Sequence, residues 1–230
     1  MGFLFLALPV LLAGVVLWAL HAQRAGAAKI PALAIAAWFA ITFLLARSGV
    51  VADFDRMPPK IPLLAVFAIA CGLLLSRTAA VREALRTMPG WWPVAMQTFR
   101  APLELGLYLL FTAGLLPEQM TFAGRNFDVL VGLSAPVLAW LMAKGHAPRV
   151  LQWAWHFAAL GLLANVVTIA ITSVPGPLHA DWPGAPLTIV AQWPYVWLPA
   201  FLVPMALLGH VAAIARLVKT RPPELVTNPS

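Results

Sequence analysis

Arg100 and Glu104 stand four residues apart inside an apolar run, a spacing that puts a guanidinium and a carboxyl on one helix face. Ionisable groups in hydrocarbon are costly and persist only with partners, so the two are expected to pair. Gln97 lies one turn before Arg100, with Tyr108 one turn and Thr112 two turns after Glu104. The helix therefore carries a polar stripe that must face other helices or a water-filled space. Pro102, between the charged residues, has no N–H for the carbonyl of Thr98, which needs another partner.

Depth along each helix points to who joins this pair. Counted from the Lys/Arg-rich end of its own apolar run, Arg100 lies about as far in as His156 and His210, a layer roughly 10 Å below the edge at the rise of an α-helix. Glu104 is a turn deeper, and Gln152 a turn shallower than His156 on the same face. Arg100, Glu104, His156 and His210, flanked by Gln97, Tyr108 and Gln152, are thus the candidate polar cluster among the fourth, sixth and seventh spans. It could act as interhelical glue or as a substrate or proton path in which Glu104 or a histidine changes protonation. Two histidines at matched depth also raise haem ligation as a third reading. No cofactor or metal is otherwise expected. Asn165, Thr168 and Thr172 make a second polar face on the outer half of the sixth span. Arg125, Asn126 and Asp128 read as a loop leading into the fifth span, with Asp128 in a structural capping role. His179 and Asp181 are two ligands at most, too few for a metal.

The elements that must position these groups follow from composition. Of 230 residues, 62% are apolar and 10% charged, a balance that no water-soluble core can hide. The chain reads as all-α, a polytopic transmembrane bundle of about seven helices near 3–21, 30–47, 59–76, 92–116, 128–144, 150–172 and 189–215. Residues 1–219 form one transmembrane domain and 220–230 a short cytoplasmic tail. Lys and Arg in alternate links set the orientation. Arg24, Lys29, Arg77, Arg82, Arg86, Lys144, Arg149, Arg216, Lys219 and Arg221 fall on one side, against Arg47, Arg56, Lys60 and Arg125 on the other. That places the N-terminus out and the C-terminus in. The first run lacks a basic start and carries Arg24 and Lys29 beyond its end, the reverse of a signal peptide, so it is expected to be a retained helix. The net charge of +7 is topology, because the cations are scattered singly and form no nucleic-acid face. Pro175, Pro177, Pro183 and Pro186 make 173–188 a non-helical loop. A weak echo of Phe39-Ala40 and Leu44-Leu45-Ala46 in Phe157-Ala158 and Leu162-Leu163-Ala164 suggests a three-plus-one-plus-three parallel repeat, the arrangement of SWEET-type sugar carriers. The Pro-Gln signature of PQ-loop carriers is missing.

Enzyme classes are not signalled: the chain has no Gly-rich phosphate loop, His-Glu-x-x-His, Gly-x-Ser-x-Gly or cysteine pair, Cys71 being the single cysteine. No lysine sits mid-span to carry a retinal Schiff base. Met120-Thr121-Phe122 with Gly124-Arg125-Asn126-Phe127-Asp128, Asn165-Val166-Val167-Thr168 through Pro175, and Pro194-Tyr195-Val196-Trp197-Leu198-Pro199 through His210 resemble a family of uncharacterised bacterial seven-helix membrane proteins. The resemblance covers roughly the C-terminal half, implies a bacterial cytoplasmic-membrane location and brings no activity. The family pattern has an amide residue where His156 follows Trp155, which counts against His156 as an indispensable ligand. The expected partners are the lipid bilayer, an unknown small molecule or lipid, and a protein partner or second copy, with no nucleic acid. The working expectation is binding or transport of a small molecule at the polar cluster. An accessory subunit of a larger membrane complex is the alternative.

Overall fold

The helices begin and end where the backbone chemistry requires. The computed structural model describes residues 2–219, so the expected tail at 220–230, with Arg221, lies outside the described residues. Helix α1 (Gly2–Gln23) is followed by α2 (Lys29–Arg47), which takes Pro31 in its first turn, where a missing N–H costs nothing. Helix α3 (Lys60–Ser76) starts directly after Pro59. An elbow of 82° then leads into α4 (Ala79–Thr87), a short amphipathic helix that buries Val81 and Ala84 against Ala19 and Leu20 of α1 and leaves Arg82 and Arg86 exposed.

A helical run without a break then passes from α5 (Trp92–Ala95) through a 3₁₀ turn at Met96–Phe99 into α6 (Arg100–Thr112). The tightened turn sits just where Pro102 withholds the α-helical donor from Thr98. Helix α6 ends in a Schellman motif: Gly114 has φ 71°, its N–H reaches the Phe111 carbonyl, and the Leu115 N–H reaches that of Leu110. Helix α7 (Val129–Ala143) closes the same way on Gly145. Helix α8 (Arg149–Ser173) follows Pro148, and a long loop leads to a π-helical turn at Leu198–Leu202 that opens α9 (Val203–Lys219). The π turn has a visible cause and a visible remedy. Pro204 cannot donate to the carbonyl of Ala200, and the Trp38 indole N–H of α2 takes that place at 2.9 Å. One turn further along α2, Thr42 accepts the Trp197 indole N–H at 3.0 Å.

Helix α9 packs against α3, α5 and α8; α6 lies between α1 and α7. No strand occurs among the described residues. Four helices are long and apolar enough to cross a membrane (α1, α2, α8 and the π turn with α9), or five if the bent α3–α4 pair is one span. That is fewer than the seven spans expected. The expected fourth span stops at Thr112 rather than 116, and the expected fifth is the shorter Val129–Ala143. The last becomes regular α-helix only at Val203. The exterior of the bundle is apolar, and a small polar cluster lies within its apolar core. Leu33, Leu133 and Phe157 are 60–74% exposed, whereas Arg100, Glu104, His156 and His210 are at most 1% exposed. An apolar exterior with a few ionisable groups held inside is compatible with membrane insertion.

Candidate functional site

A glycine brings the two central helices together. Any Cβ on Gly132 of α7 would collide with the backbone of Ala101 in α6, so the helices touch there. Asp128, one turn before Gly132, is thereby laid against Arg100, one residue before Ala101. The Arg100 Nε and Nη2 donate to the two carboxylate oxygens of Asp128, a forked pair 1% and 5% exposed. Asp128 itself is oriented by Asn126, whose side-chain oxygen accepts the Asp128 backbone N–H at 3.1 Å. The carboxylate expected to pair with Arg100 was Glu104, and the structure gives that place to Asp128. The reason is reach. A partner from another helix can meet the guanidinium fork head-on, whereas i,i+4 side chains on one helix run alongside each other. Asp128 makes no side-chain capping bond, so its expected role as a cap is also replaced.

The same arginine orders the histidines. Arg100 Nη1 lies 3.3 Å from His210 Nε2, and His210 Nδ1 lies 2.9 Å from His156 Nδ1. An arginine only donates, so His210 Nε2 accepts and its proton sits on Nδ1. That N–H donates to His156 Nδ1, which leaves the His156 proton on Nε2, where it has no partner. Asp128, Arg100, His210 and His156 thus form one chain of hydrogen bonds from α7 through α6 and α9 to α8. The layer expected from depth, with Arg100, His156 and His210 together, is present as a contact. Gln97 belongs to its edge: its Nε2 donates to the Ala206 carbonyl at 3.0 Å, and Gly209 leaves it the space. Tyr108 and Gln152 do not join. Tyr108 stacks on Phe122 at 4.8 Å between ring centroids, and Gln152 donates to the Ala147 carbonyl at the start of α8.

Glu104, one turn deeper, is treated differently. Its Oε1 accepts from Asn126 Nδ2 at 2.7 Å, while its Oε2, equally buried, has no donor. Asn126 is brought inward by the loop before α7, held by bonds to the Thr121 and Met120 carbonyls. Glu104 and Asp128 line a cavity of about 470 Å³ between α3, α8 and the start of α9. Its other walls are mostly aliphatic, among them Leu107, Leu163, Val167 and Leu202. Arg100, His156 and His210 do not line it. At the N-terminal end of α3, Lys60 donates to Asp53 at 2.8 Å, and both also border the cavity.

Asn126 and Asp128 are the site residues that sequence reasoning placed elsewhere. The available signals were a carboxylate at the start of a span and a glycine one turn on. Of the other candidates, Asn165 bonds the Arg125 carbonyl, and Arg125 sits over the Trp182 ring. His179 and Asp181 are exposed. No group of three or more metal-ligating side chains occurs among the described residues. The donor set does not fit haem either: the two imidazoles bond each other directly, so no volume lies between them for a macrocycle.

A family model described as a domain of unknown function (DUF8737) matches residues 58–218, a segment that contains every member of this polar assembly and omits α1 and α2. No curated protein and no solved structure matches the chain.

Proposed function

The chain belongs to the DUF8737 family, and we propose that it binds, or carries across a membrane, a lipophilic small molecule seated in the cavity beside Glu104. One observation carries this reading: a carboxyl oxygen buried without a donor in the wall of an apolar cavity. A buried acceptor left unpaired is costly, and a ligand that donates a hydrogen bond removes the cost. The ligand class follows from the walls: an apolar body, to match the aliphatic side chains, with one hydroxyl or N–H directed at Glu104 Oε2. Of the Arg100–Asp128–His210–His156 chain only Asp128 borders the cavity, and both of its carboxylate oxygens are taken up by Arg100, so we assign the chain to architecture, as the support that fixes α6 against α7 and α9.

This reading includes seven spans with the N-terminus out in a bacterial cytoplasmic membrane. It is supported by α3, the unbroken helical run from Trp92 to Thr112 and the apolar α7, which would be the three spans beyond the four long helices. The basic residues of alternate links supply the direction.

Native mass spectrometry of the protein released gently from its own membrane tests the proposal. The wild type is expected to carry a small-molecule adduct that Glu104→Gln loses at unchanged melting temperature. Equal adducts on both proteins would overturn it, and a stoichiometric protein partner in place of a small molecule would favour an accessory subunit.

A further inference from the structure

A second and larger cavity opens at the opposite end of the bundle. It measures about 800 Å³ and lies between the first half of α2, the second half of α3, the amphipathic α4 and the last turns of α9. Its walls are apolar, with Ala34 and Trp38 from α2, Phe67 from α3, and Leu208 and Ala212 from α9. Its rim is cationic: Arg77 in the elbow, Arg82 and Arg86 on α4, and Arg216 and Lys219 at the end of α9 all border it. No carboxylate among the described residues lines it. Glu83, the acid of α4, is engaged by Arg86 at 3.3 Å.

The rim is built into the fold. The 82° elbow after Ser76 turns α4 away from the direction of α3, so its arginines lie across the mouth of the cavity. Arg216 fastens the far end of α4 by donating to the Leu85 and Met88 carbonyls. Close packing of α3 on α9 at Gly72, where a Cβ would strike Leu208, closes the floor.

From the charge complementarity of this rim and the apolar walls below it, we propose that the cavity is a binding site for an anionic phospholipid. Its phosphate rests among Arg77, Arg82 and Lys219, and its acyl chains lie against α2, α3 and α9. A soluble anion would use the rim and leave the apolar walls unfilled. A zwitterionic lipid would fill the walls but bring a choline or ammonium group into a field of cations. The site is separate from the cavity at Glu104 and does not depend on what binds there.

The test is a lipid titration of the delipidated full-length protein in detergent, read by native mass spectrometry. Phosphatidylglycerol and phosphatidylcholine with the same acyl chains are the probes. Phosphatidylglycerol is expected to bind with clear preference. At roughly fivefold per cation near a lipid phosphate, Arg77→Gln with Arg82→Gln should weaken it about 30-fold and leave phosphatidylcholine unchanged. Arg77→Lys with Arg82→Lys, which keeps the charge, should retain most of the affinity and controls for folding. Ala212→Phe, which fills the apolar part beneath an intact rim, should also lose the lipid. Wild-type phosphatidylglycerol affinity in the Gln double variant would overturn the proposal. So would displacement of the lipid by inorganic phosphate at modest excess, because the site would then be one for any anion.

Discussion

Arg100 and Glu104 are one helical turn apart on α6, and the bundle treats them in opposite ways. Arg100 meets a carboxylate on α7 and an imidazole on α9. Glu104 meets a single amide from a loop, and its second oxygen faces an aliphatic cavity without a donor. Both sites bury charge-bearing groups, yet at one the carboxylate is fully engaged by Arg100, and at the other a carboxyl oxygen faces a cavity. Neighbouring residues of one polar stripe can thus meet quite different surroundings. What separates the two is whether both carboxylate oxygens find donors from within, as those of Asp128 do and Oε2 of Glu104 does not.

The comparison breaks most easily at Arg100. Arg100→Leu or Asp128→Leu alone strands a buried charge and should cost about 3–5 kcal/mol of stability, seen as a large fall in melting temperature or loss of folded protein. The double variant Arg100→Leu with Asp128→Leu should be far milder than the sum, because no charge is left behind. A double variant as damaging as the two singles added would remove the support assigned to the pair. Glu104→Gln tests the open side. Stability should stay within about 1 kcal/mol, while affinity for the lipophilic ligand falls about 10- to 100-fold, the cost of leaving a buried donor without its acceptor. A collapse in stability with binding intact would reverse the roles of the two residues. Gly132→Ala sharpens the point geometrically. The added methyl forces α7 off Ala101 and should cost about 1–3 kcal/mol. Combined with Asp128→Leu it should cost less than the two changes added, since both act on the same contact.

The smallest effect is expected at Lys60–Asp53, the same kind of charge pairing with water present. The hydrogen bond from Lys60 holds the Asp53 carboxyl below its ordinary range. A depressed carboxylate contributes stability above its unfolded pKa, and the contribution is lost as pH falls through the lowered folded value. Asp53→Asn should therefore leave the melting temperature at neutral pH nearly unchanged and slightly flatten its decline in acid. A large neutral-pH loss would show that solvent does not screen this pair.

How much of this was legible beforehand differs by residue. The burial of Arg100, His156 and His210 in one layer followed from counting helical rise, because depth along a helix is a property of sequence position. The partner of Arg100 was not legible. Glu104 shares its helix, but Asp128 reaches it only because Gly132 lets α7 close on Ala101, a fact about two surfaces meeting. Tyr108 lies on the predicted stripe and still points away to Phe122, since a stripe spans more arc than one site uses. The prolines were partly legible. That Pro204 frees the carbonyl of Ala200 follows from its ring, whereas Trp38 as the group that takes it follows from how α2 packs.

The residue types by themselves determined an all-helical chain with an apolar exterior, helix ends at glycine and proline, and a small set of ionisable groups that had to be buried and partnered. These are local consequences of hydrophobicity and backbone chemistry, which need no neighbour to act. Only the tertiary structure decided which groups found each other, which oxygen of Glu104 was left without a donor, and where two cavities opened. Those outcomes depend on distances of a few ångströms between helices far apart in sequence, and hydrogen bonds and packing are sensitive on that scale.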